Sequence, residues 1–314
     1  MTNRVFSINK SSSDLIKFLS SLMVAGHHYS QYVISHGLSD SIIYQLLSTQ
    51  GGYLGVAIFF FLSGYGLMES EARHHLSVGA FLRKRLAKIY FPVLLLNCLW
   101  IPLYPLITKN HSFYSNWGGL VYDIFIGFND SVLWFVKALI FLYLAFSLFA
   151  YIRCKFNEKA AVATLVLGTI LVIIGMKIIW GGDYLLISIP MFLCGVLSSL
   201  CKNKGRNVFL PILSVVLSCI AMSVYLLVRK DFPLMAHSVF NYGFITVMLL
   251  FFAFVKVDFR SPKFLGDISY DIYLVHNKVL MSLIALGCVN LLWFIVMTAV
   301  ISLLYFFCRK KIGI

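Results

Sequence analysis

Residues 160–179 read AAVATLVLGTILVIIGMKII, twenty residues with a single charge, Lys177, near the end. A helix of about 20 apolar residues crosses the ~30 Å hydrocarbon core of a bilayer. Comparable runs recur along the whole chain, so the sequence predicts an all-α, polytopic integral membrane protein. Ten spans are expected, near 14–34, 53–70, 89–108, 133–151, 160–179, 184–200, 208–228, 237–257, 268–287 and 289–308. The first follows a polar leader, contains Lys17, His27 and His28, and lacks a small-residue cleavage site, so it does not read as a signal peptide.

Composition agrees. The 314 residues are 60% hydrophobic, 16% aromatic and only 12% charged, with mean hydropathy +0.88. A soluble domain carries about a quarter charged residues, so a water-soluble fold and a disordered chain are both excluded. Seven cysteines show neither a CxxC motif nor Cys/His spacing, and the expectation is no metal site.

The net charge of +14 would point to nucleic acid in a soluble protein. Here its placement is alternating. Nineteen Lys and Arg fall at the termini and in every second loop, among them Arg83, Lys84, Arg85, Lys88, Arg153, Lys202 and Arg309. The intervening loops hold only Lys109, Lys177, Arg229 and Lys230. By the positive-inside rule both termini are expected in the cytoplasm, with no nucleic-acid partner. The longest outer loop, residues 109–132, carries Phe113, Tyr114, Trp117 and Tyr122 and is expected on the outer leaflet. One transmembrane domain, residues 1–314, accounts for the chain.

Ionisable groups inside spans are costly and mark candidate sites. Lys17 and His28 are eleven residues apart, so they share one helix face with His28 roughly 16 Å deeper. A neutral imidazole at mid-bilayer can accept a proton as a general base. A core histidine bonded to a neighbouring helix is the structural alternative. His27 faces about 100° away. In the ninth span Tyr270, Tyr273, His276 and Asn277 form a stripe, and His276 reaches a depth like that of His28, which suggests a shared polar cavity. Asp271 and Lys278 need partners or water. Arg85 and Lys88, flanked by Arg83 and Lys84, could hold phosphates, although any inner loop collects such charges. Ser63 and Gly64 form a small pair suited to close helix approach. No GxSxG elbow, Walker motif or HExxH is present.

Taken in order, these segments resemble the membrane acyltransferase-3 family, bacterial proteins that O-acylate cell-envelope polysaccharides. The family's basic residue, ten others and His correspond to Lys17 and His28. Its FF-x-LSG-aromatic pattern matches Phe60 to Tyr65, and its R-x-x-R matches Arg85 and Lys88. The Trp-aromatic start of a middle span matches Trp134 and Phe135. P-x-F-x-x-G matches Pro190 to Gly195, and LG-x-ISY-x-IYL-x-H matches Leu265 to His276. Lys replaces Arg at two of these positions, and a Lys cannot make a guanidinium's bidentate contact.

The resemblance implies transfer of an acyl group, commonly acetyl, from cytoplasmic acyl-CoA such as acetyl-CoA to a hydroxyl of a cell-surface glycan or lipid-linked saccharide. His28 would be the base and Lys17 its electrostatic partner. Arg85, Lys88 and Arg83 would bind the donor, and Ser63, Tyr65, Trp134, Tyr270, Tyr273 and His276 would line the cavity. The expected location is the bacterial inner membrane. The extracytoplasmic esterase-like domain of some relatives is not expected in this chain, so a second step would need direct transfer or a partner protein. A transporter or flippase for a glycan intermediate is the alternative, against which stands the want of a visible internal repeat.

Overall fold

The computed structural model describes residues 7–74, 78–108, 117–122, 124–125, 131–182, 184–204, 233–254 and 263–313. The described residues contain helices and no strand. The helices are α1 (Lys10–Ser35), α2 (Ile42–Leu46), a π-helical turn (Leu47–Gly51), α3 (Gly52–His74), α4 (Val78–Thr108), α5 (Trp117–Tyr122), α6 (Trp134–Lys155), α7 (Glu158–Trp180), α8 (Tyr184–Ser188), α9 (Pro190–Asn203), α10 (Pro233–Phe254), α11 (Lys263–Ala285) and α12 (Leu291–Ile312). The expected seventh span, 208–228, and most of the 109–132 loop lie outside the described residues.

Among the described residues, six helical segments are long and apolar enough to cross a membrane, covering 42–73, 82–107, 134–155, 158–180, 184–203 and 291–312. Of the ten expected, the span at 208–228 lies outside the described residues, and others fall short on apolarity. α1 and α11 have the length, at 26 and 23 residues, but their apolarity is diluted by polar side chains such as Lys17, His27 and His28, and Asp271, His276 and Lys278. These two helices pack along each other, and α1 also packs on α3. Their polar faces turn inward. α3 is central, with 78% of its most apolar window buried, whereas α7 has 17% and presents Leu167, Ile170, Leu171, Ile174 and Ile178 outward.

The third span is longer than hydropathy indicated. α4 begins at Val78, so Arg83, Arg85 and Lys88 stand on its first turns and not in a loop. The span expected from hydropathy, 89–108, starts only where those charges end, although the backbone is already helical.

α3 and α9 make the tightest helix contact. Gly64 of α3 lies on the Phe192 carbonyl of α9, and Gly195 of α9 lies on the Phe61 carbonyl of α3. A Cβ at either position would overlap a carbonyl group, so glycine is required for the approach. This is the close contact expected from the Ser63–Gly64 pair.

One end of the bundle is laced by ion pairs. Arg153 of α6 meets Glu71 of α3 at 2.6 Å, Lys202 of α9 meets Glu69 of α3 at 2.8 Å, and Lys204 meets Glu158 of α7 at 2.5 Å. Asp271, near the start of α11 and fully buried, is gripped by Arg309 near the end of α12, at 2.6 and 2.8 Å. Among the described residues, Arg153, Lys202, Lys204 and Arg309, from alternate connections and the C-terminus, gather at one end.

Candidate active site

Adjacent residues of a helix diverge by about 100°, and the two histidines of α1 go to different neighbours. His27 Nδ1 lies 2.9 Å from the Leu47 carbonyl oxygen, which can only accept, so that nitrogen carries the proton. The ring occupies the space beside Gly52, where a Cβ would come within 2.5 Å of it. His27 therefore fastens α1 to the π-helical turn ahead of α3. Gly51 and Gly52 make room for that contact, a role the sequence reading missed.

His28 turns onto α11. Its ring stacks on that of His276, with centroids 5.3 Å apart and planes 26° from parallel. Nδ1 of His28 lies 3.2 Å from the side-chain oxygen of Gln31, one turn further along α1. Nδ1 of His276, in a fully buried ring, lies 3.1 Å from the Ile272 carbonyl oxygen. Both Nδ1 atoms face acceptors and so carry protons, which makes Nε2 the basic nitrogen of a neutral His28. The two histidines read at similar depth are in contact.

Tyr273 links the pair to a wider aromatic cluster. Tyr273 stands 5.9 Å from His276, centroid to centroid, and meets Phe59 and Phe135 edge-on. Its hydroxyl donates to the Val132 carbonyl, and that of Tyr270 to the Ile89 carbonyl at 2.9 Å. These bonds lock α11 against α4 and the 3-10 turn (Ser131–Leu133) that precedes α6. Trp134 packs on Phe60 and Tyr184. Lys278 places its ammonium 5.9 Å from the Trp100 ring.

Toward the ion-paired end, Ser63 and Arg85 both bear on the Tyr143 hydroxyl. Lys88 feels Arg85 and Lys84 on its own helix, and Asp267 and Lys263 at the start of α11. Arg83 is exposed. Toward the opposite end, an open recess of about 500 Å³ is lined by Gln31, Tyr32, Ile34, Ser35, Ser48 and Ile284. Gln31 thus touches both the recess and His28.

Two expected site residues sit elsewhere. Lys17 pairs with Asp14 at 3.5 Å. Eleven residues of helix, roughly 16 Å, separate it from His28, so it makes no contact with the imidazole. Tyr65 lies two residues and about 200° round α3 from Ser63. There its ring lies under the Lys202 ammonium, 5.7 Å away, and its hydroxyl accepts from the Ile8 amide at 3.4 Å. Among the described residues, no three of His, Cys, Asp and Glu converge as metal ligands would. Tyr143, Gln31 and the Asp271–Arg309 pair escaped the sequence reading, in which Arg309 counted only toward topology. Asp271 alone had signalled that it needed a partner.

A family model described as an acyltransferase domain matches residues 10–309. No curated protein and no solved structure matches the chain.

Proposed function

The chain belongs to the acyltransferase-3 family, and on that premise we propose an acyl transfer, of acetyl in the simplest case, from acyl-CoA to a hydroxyl of an extracytoplasmic or lipid-linked glycan. Family membership supports a membrane acyltransferase in general. The donor, the acceptor and the residue roles are our reading. The observation that carries it is His28, held against His276 inside the bundle between a basic end and an open recess at the other.

In this reading the ion-paired end faces the cytoplasm of a bacterial inner membrane. Arg85 and Lys88, with Arg83 at the rim, hold the phosphates of the donor. Lys17 adds positive charge at the same end. The thioester carbonyl reaches inward past Ser63 and Tyr143. The acceptor hydroxyl approaches from the recess.

A sugar hydroxyl is a poor nucleophile until its proton has somewhere to go. Nε2 of His28 takes that proton as the oxygen attacks the thioester carbonyl. The new C–O bond forms, the C–S bond breaks, and the CoA sulfur leaves with the electron pair. The proton held by the imidazole then passes to the thiolate, so the enzyme ends as it began. A base within hydrogen-bond reach contributes about 10²–10⁴-fold, and the thioester needs no further activation. Orientation inside the site supplies the rest.

Mass spectrometry of cell-envelope glycans, from cells with and without this chain, tests the reading. Loss of an acyl increment from one glycan is expected when the chain is removed. Identical acylation in both, with an accumulated intracellular glycan, would favour export in its place.

A further inference from the structure

We propose that Gln31 is the positioning residue of this site: it holds His28 with the proton on Nδ1 and so aims Nε2 at the acceptor hydroxyl. The inference rests on the base role proposed for His28 and extends it to a second residue.

The geometry is local. The Gln31 side-chain oxygen, 3.2 Å from Nδ1, can only accept, so the imidazole must donate there. The tautomer of a neutral histidine is set by the bond its other nitrogen makes, and a base with the wrong nitrogen protonated cannot act. Gln31 also lines the recess with Tyr32, Ser35 and Ser48. With its oxygen occupied by His28, the amide retains two N–H donors for a ligand. The Ser35 and Ser48 hydroxyls each donate to a backbone carbonyl, at 3.0 Å, and each keeps a lone pair to accept, Ser35 beside the His36 ring nitrogen at 3.1 Å. Such a mixture of donors and acceptors beside Ile34 and Ile284 suits a polyhydroxylated acceptor, a sugar, with an apolar face. Gln31 would thus orient the base and hold the hydroxyl-bearing ligand at once.

Two measurements test this, one independent of turnover. In ¹⁵N-histidine-labelled protein in bilayers, the His28 signals are found by difference against His28→Ala. The expected state is a protonated Nδ1, with the proton moving to Nε2 in Gln31→Leu. Acetyl transfer from acetyl-CoA to the envelope glycan should fall about 10- to 100-fold in Gln31→Leu, with KM for acetyl-CoA unchanged. Gln31→Glu should keep the tautomer and restore transfer. The acidic limb of its pH–rate profile should move to higher pH, because a carboxylate favours the imidazolium. The other titratable groups facing His28, His276 of α11 and His27 on its own helix, are the same in both variants.

A wild-type His28 protonated on Nε2, or an unaltered rate in Gln31→Leu, would overturn the inference. Should Gln31→Leu fail to accumulate, an unshifted pH profile in Gln31→Glu would do the same. Full transfer by His28→Ala would instead defeat the base role itself. An inactive His28→Ala beside a normal Gln31→Leu would leave that role standing and remove only the part given to Gln31.

Discussion

Three groupings stand out at the residue scale: the His28–His276 imidazole pair, the basic cluster Arg83 to Lys88 on the first turns of α4, and the buried Asp271 carboxylate gripped by Arg309. The Lys17–His28 spacing was legible because helix geometry fixes both face and depth. The partner of His28 was half legible, since the depth of His276 pointed to it but not to a stacked ring. Gln31 was not, because a glutamine near the end of a span looks like any interfacial polar residue. Two predictions belong here. Arg85→Ala with Lys88→Ala should raise KM for acetyl-CoA at least tenfold with kcat little changed, since each charge-assisted contact to phosphate contributes about 1.5–3 kcal/mol. Steady-state CoA release checks it, and an unaltered KM would reduce the cluster to a topology signal. Asp271→Ala should cost about 3 kcal/mol of stability by taking the buried carboxylate away from the Arg309 guanidinium, whereas Asp271→Leu with Arg309→Met should recover most of it. Thermal unfolding in detergent reads both.

Helix positions followed from hydropathy, but the contacts between helices did not. α1, α3, α6, α7 and α12 lie near the spans expected for them, because an apolar run needs no partner to be recognised. α4 outran its expected start because a helix carries Arg and Lys on a solvated first turn without losing its backbone bonds. Tyr65 fell outside the site because two residues turn a helix by about 200°, which a linear motif hides. The α3–α9 contact offers a sharp test. Gly195→Ala and Gly64→Ala each place a methyl group against a carbonyl and should destabilise by about 1–3 kcal/mol. Gly66→Ala, on the same helix with nothing within 4 Å of the added carbon, should be neutral or slightly stabilising, as alanine favours helix over glycine by about 1 kcal/mol. Equal unfolding temperatures for all three would mean that the contact does not hold the bundle.

Across the whole molecule, polarity runs along the bundle axis. One end carries the ion pairs of α3, α6, α7, α9, α11 and α12, and the other opens the recess beside Gln31. The alternation of Lys and Arg along the chain is in keeping with the ion pairs seen among the described residues. It could not foretell that α1 and α11 would turn polar faces on each other. If the basic end is cytoplasmic, then in a cysteine-free background Leu38→Cys should react with an impermeant thiol reagent on intact spheroplasts. Lys311→Cys should react only after permeabilisation, and the reverse pattern would invert the topology. The most direct measurement of the central claim is transfer of labelled acetyl from acetyl-CoA by matched amounts of wild-type protein and His28→Ala in native membranes. The account predicts that His28→Ala, inserted and folded, loses transfer by about 10²–10⁴-fold. Undiminished transfer by that variant would contradict it.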